Sequence, residues 1–155
     1  MGGERHDGVR RDAAIRAMAA AVTLASLTAL GGCAQPGSGT GSNGGDAATW
    51  TVVDPAAVTE DTTELEIGVT RLGCSSGVTG EVLEPVVTYE PDQIVITVDV
   101  ARFTAGAADC QGNDVVVVTV ELDEPIGQRP LVDGACLKGE AADTSFCESA
   151  TRWPA

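Results

Sequence analysis

Asp114–Leu122 reads DVVVVTVEL. Its four consecutive valines, followed by Thr119, Val120 and Leu122, carry stiff or aliphatic side chains that suit a pleated strand. An apolar run of this length with no Gly or Pro predicts a central strand. Asp123-Glu124-Pro125 ends it, because proline has no N–H to give to a ladder. Ile126–Val132 is then expected to return as the next strand, with Asp133-Gly134 as a turn.

The same signals recur upstream. Ile94, Ile96, Val98 and Val100 alternate with Val95, Thr97 and Asp99. Val82–Glu90 (VLEPVVTYE) is rich in strand formers, and Pro85 marks it as an edge or a bulge. Between these runs stands Glu90-Pro91-Asp92-Gln93, where proline presets φ and Asp accepts turn conformations, so the pair reads as a hairpin. Leu65, Ile67 and Val69 alternate with Glu66 and Gly68. No segment after residue 48 has helical periodicity. Short strands separated by Pro/Gly turns predict an all-β fold, a small β-sandwich over residues 49–155, and an immunoglobulin-like order is one topology that fits. The chain is 43% hydrophobic but only 3% aromatic, so the core must be aliphatic.

Residues 1–48 differ. Arg5, Arg10, Arg11 and Arg16 make a basic start, and Ala17–Leu30 (AMAAAVTLASLTAL) carries no charge. That apolar stretch suits a signal-peptide core and falls short of the about 20 residues of a membrane span. Asp12-Ala13-Ala14 follows Arg10-Arg11, which makes the pair read as positive charge more readily than as a twin-arginine export signal. Ala34–Ala48 (AQPGSGTGSNGGDAA) is Gly/Ser-rich and reads as a flexible tether.

Leu30-Gly31-Gly32-Cys33 resembles the lipobox of bacterial lipoproteins: an aliphatic residue, two small residues, then cysteine. The resemblance covers the leader alone. It implies that residues 1–32 are a cleaved signal peptide and that Cys33 carries the lipid. Residues 33–48 would then be the lipidated cysteine and its tether, followed by the 49–155 ectodomain. Multiple acyl chains hold a protein on a bilayer stably, so the implied home is the outer face of the cell membrane.

With Cys33 set aside, four cysteines remain, and an oxidising compartment makes two disulfides the default. Three connectivities are possible. Cys74–Cys110 with Cys136–Cys147 is favoured: the first links the end of one strand to the loop before the valine strand, and the second clips the C-terminal tail. No CxxC pair and no later histidine favour a zinc site.

Loss of residues 1–32 also removes three acids, four arginines and His6, leaving 20 of 23 acids, 5 of 9 bases and a net charge of about -15. Nucleic-acid binding needs clustered Lys and Arg, so no nucleic-acid partner is expected. Without histidine, Ser-His-Asp and Cys-His catalysis is excluded from the 33–155 part. Lys138 has no SxxK pattern around it for a Ser-Lys dyad. A carboxylate pair could serve a hydrolase, although so many acids make any pair expected by chance. Asp109, Asn113 and Asp114 in one loop, with Asp123 and Glu124 in another, are hard-oxygen candidates for calcium, but no DxDxDG pattern supports them. No cofactor or resident metal is expected.

Glu121–Cys136 (ELDEPIGQRPLVDGAC), with Gly73-Cys74-Ser75-Ser76-Gly77 and Cys110, is similar to small uncharacterised lipoproteins and secreted proteins of high-GC Gram-positive bacteria. That likeness spans about residues 64–136 and implies an extracytoplasmic β-domain without an activity. Arg129 is expected to pair with Asp133 or with Asp123/Glu124 and brace the turn. The expected function is a non-enzymatic binding or structural module with an unknown protein or envelope ligand. The alternatives are a carboxylate-dependent envelope hydrolase and a calcium-dependent adhesion module.

Overall fold

The structure, a computed structural model, describes residues 43–154. The leader, Cys33 and the first part of the tether lie outside the described residues. Eight strands are present: β1 Asp46–Val52, β2 Glu64–Arg71, β3 Val86–Tyr89, β4 Ile94–Thr97, β5 Asp99–Val100, β6 Val116–Glu121, β7 Leu131–Asp133 and β8 Thr151–Trp153. The other regular elements among the described residues are three 3-10 turns between Gly134 and Cys147. The fold is all-β, as its period-two patterns require.

The strands form two four-stranded sheets, β5-β1-β2-β6 and β3-β4-β7-β8. One residue, Val98, separates β4 from β5, so a nearly continuous strand leaves one sheet and enters the other; Val98 is fully buried at this corner. Inward residues of both sheets share one aliphatic core: Trp50, Ile67 and Val69 from one, Ile94, Ile96 and Leu131 from the other. Each such side chain contributes about 1.5–3 kcal/mol by burial. Trp50 supplies the aromatic centre, and its indole N–H donates to the Ile96 carbonyl at 2.9 Å.

The hairpin over 86–97 is present as expected. β3 and β4 pair antiparallel from Val86↔Thr97 to Tyr89↔Ile94, and the Glu90 N–H donates to the Gln93 carbonyl at 2.9 Å. Other expectations are corrected. The folded part begins before residue 49. β1 starts at Asp46, Ala48 is fully buried, and the Asn43 side-chain amide donates to the Glu84 carbonyl at 2.9 Å. Small residues read as a tether, but Ala47 and Ala48 stand opposite Asp99 and Arg71 in the ladders, where smallness suits close packing.

Among the described residues the valine strand is an edge, not a centre: β6 pairs with β2 alone. Val116, Val118 and Val120 turn inward, while Val115 and Val117 are 61% and 52% exposed. An unbroken valine run cannot distinguish these two situations by periodicity. Ile126–Val132 is a strand only at its end. Gly127 adopts φ 63°, and the Arg129 N–H turns back to the Ile126 carbonyl, so the chain enters β7 at Leu131. Asp133 belongs to that strand instead of a turn. β7 runs parallel to β4, from Ile94↔Leu131 to Ile96↔Asp133, which sets this order apart from the antiparallel sheets of immunoglobulin domains.

Candidate functional site

Both expected disulfides are formed. Cys74–Cys110 ties the loop after β2 to the segment before β6, and Cys136–Cys147 clips the 3-10 turns together. The loops around the first are interlocked by side chains that were calcium candidates. The Asn113 amide donates to the carbonyls of Arg71 and Gly73 at 2.9 and 2.8 Å, and its oxygen accepts from the Ser75 hydroxyl at 3.0 Å. An Asp114 carboxylate oxygen accepts the Thr79 N–H. Asp109 joins through its own N–H, which donates to the Ser76 hydroxyl. Asp123 and Glu124 lie past the other end of β6, and Glu124 pairs with Arg129 at 2.7 Å. The five residues are therefore not brought together. Among the described residues, no three or more His, Cys, Asp or Glu side chains are grouped to hold a metal ion.

Arg129 braces its turn as expected. Besides Glu124, its guanidinium donates to the carbonyls of Ile126 and Pro125, and it lies 5.9 Å from the centre of the Tyr89 ring. Asp133 has a different partner. Fully buried, it accepts from the Thr49 hydroxyl at 2.6 Å, the Trp50 N–H at 3.1 Å and Arg152 at 2.9 Å. Its other oxygen accepts the Ala135 N–H at 3.0 Å. The Trp50 N–H faces the side of β1 from which β5 departs, so a carboxylate completes the ladder where backbone does not. Nothing in the sequence pattern singles out Arg152. The Asp133 carboxylate is matched on both oxygens, while the Arg152 Nε is buried without a hydrogen-bond partner, and the arrangement reads as a structural node.

The more open feature is the seam between the sheets. Both β3 and β6 end their sheets, and a groove of about 210 Å³ lies between them, lined by Glu84, Pro85, Val87, Thr119, Val120 and Glu121. Strand alternation shows which backbone groups face outward. The Leu122 N–H donates to the Thr63 carbonyl, so Val116, Val118 and Val120 direct their peptide groups to β2. Val117, Thr119 and Glu121 then direct theirs to the open edge. On the other side, Glu90 bonds toward β4, so Val87 directs its peptide groups away from the hairpin. The seam is bridged where Tyr89 reaches across and its hydroxyl accepts the Asp123 N–H at 2.7 Å. The pattern DVVVVTVEL identified this strand but carried no signal for its open edge.

A second concavity lies beside the Cys74–Cys110 loops, a shallow shelf where Val78 and Phe103 are exposed next to Arg71 and Arg102. Among the described residues, no helix is long and apolar enough to cross a membrane. No protein-family model, no curated protein and no solved structure matches this chain.

Proposed function

We propose that this chain is a lipid-anchored extracytoplasmic protein whose β-domain is a non-enzymatic binding module of the cell envelope. Leu30-Gly31-Gly32-Cys33 behind a basic, apolar leader supports the anchor. The observation that carries the reading is the pair of disulfides in the domain that follows, since such bonds persist in oxidising compartments. An open sheet edge beside a groove favours binding over catalysis, because extended segments are recognised by strand addition. The domain rests on residues that are spoken for structurally: Asp133 with Arg152, Glu124 with Arg129, and Asp46 with Arg71.

The test is fractionation of cells that make the full chain or Cys33→Ala, with and without a globomycin-type inhibitor of lipoprotein signal peptidase. The expected result is a membrane-bound wild type, a variant released from the membrane or retained as uncleaved precursor, and accumulation of precursor under the inhibitor. A wild type that is wholly soluble, processed normally under the inhibitor and free of lipid mass on Cys33 would overturn the anchor.

A further inference from the structure

We propose that the free edge of β6 takes up an extended segment of a partner protein as an added strand, and that this segment carries Lys or Arg on the face it shares with Glu121. The inference deepens the reading of the domain as a binding module and does not depend on the anchor.

Three independent features converge on β6. The first is its unused backbone: the peptide groups of Val117, Thr119 and Glu121 face away from β2, and among the described residues no strand pairs with β6 on that side. The second is its lack of the usual edge protection. Within Val116–Glu121 there is no proline, no lysine and no register shift in its pairing with β2, and Val117 stands exposed beside Val115. Natural edges are commonly blunted by such devices. The opposing β3 has its own, with Pro85 just before its first residue.

The third feature is charge. Glu64 and Glu121 stand directly opposite each other in the β2–β6 ladder, and Glu66 lies on the same outer face. All three are exposed. Like charges placed directly across a strand pair are unfavourable, so this face is held at an electrostatic disadvantage while it stands alone. Glu84 adds a further carboxylate on the wall of the adjoining groove. A strand laid along β6 would alternate its side chains. One set would emerge beside Val117, Thr119 and Glu121, where basic residues meet the carboxylates. The other would turn toward Pro85, Val87 and Val120, where small aliphatic residues fit.

The experiment uses the full chain and two synthetic probes: a short peptide alternating lysine with valine, and the same peptide with glutamate for lysine. Binding of the lysine peptide is expected to slow amide exchange at Val117, Thr119 and Glu121 and to leave Val116, Val118 and Val120 unchanged. The glutamate peptide is expected not to bind. Thr119→Pro removes an N–H that β2 does not use, so the ladder persists while strand addition is blocked. Glu121→Lys leaves the backbone intact and is expected to weaken lysine-peptide binding about tenfold, as loss of one charge-assisted contact does. No protection at saturating lysine peptide, equal binding of both peptides, or wild-type affinity in both variants overturns the proposal. Protection of the same amides by raising the concentration of the chain alone also overturns it, in favour of a second copy. If Thr119→Pro still retains an envelope partner bound by wild type, the binding-module reading stands and the β6 assignment fails.

Discussion

A carboxylate taken wholly out of water must be matched by donors on both oxygens, and Asp133 is matched by four: Thr49, Trp50, Ala135 and Arg152. Removing it leaves a mostly buried guanidinium without its counter-charge and the Trp50 N–H without its acceptor. Asp133→Ala is therefore expected to cost about 3–5 kcal/mol, read as a lower denaturation midpoint in guanidinium chloride. An unchanged midpoint would show that the node contributes nothing. The next residue is constrained by space. A Cβ on Gly134 would lie 2.0 Å from the Thr97 hydroxyl oxygen and 3.1 Å from a Val95 methyl. Gly134→Ala should destabilise by about 1–3 kcal/mol in the same measurement, and Thr97→Ala in the same chain should recover part of the loss. Neither role is visible in the pattern around Asp133-Gly134, which is that of a turn. Only the pairing with Arg152, nineteen residues later, turns the acid into a buried node.

At the scale of elements, the opposed glutamates make a specific prediction. Glu121→Lys places a cation opposite Glu64 and should raise stability by about 0.2–1 kcal/mol in thermal or chemical unfolding, with the gain shrinking as salt is added. Loss of stability instead would mean that Glu121 has a favourable role in the free domain. The runs that hold β2 to β6 were readable from alternation or β-branched content, and the β3–β4 hairpin from Pro91-Asp92 between two apolar runs, whereas β1 and β8 carried no strand reading. Their places in the sheets were not. The valines of β6 look the same whether a strand or solvent lies beside them. The first residues of β1 fell within the tether reading because alanines next to glycines carry no period, and the rest of β1 drew no strand reading. The parallel β4–β7 pair joins segments far apart in sequence, and no local signal announces it. The open seam, being the absence of a neighbour, was equally out of reach.

Over the whole molecule, two covalent ties divide the chain's long connections. Cys74–Cys110 spans 36 positions and Cys136–Cys147 spans 11. Chain-entropy estimates give about 4 and 3 kcal/mol for loops of these lengths. Replacing the first pair by serines should therefore lower the unfolding midpoint more than replacing the second, and the reverse order would place the decisive strain or packing in the C-terminal turns. The net charge of -14 favours solubility and, under the strand-addition proposal, would speed encounter with a basic segment. Lipid attachment at Cys33 would put the disulfides, the acidic surface and the open edge in that setting together. Intact-mass measurement of the native protein extracted from membranes reads this most directly. The account predicts a chain that begins at Cys33, lacks residues 1–32, and carries the mass of a diacylglyceryl group with both disulfides closed. A chain recovered from the soluble fraction with an unmodified Cys33 would contradict it.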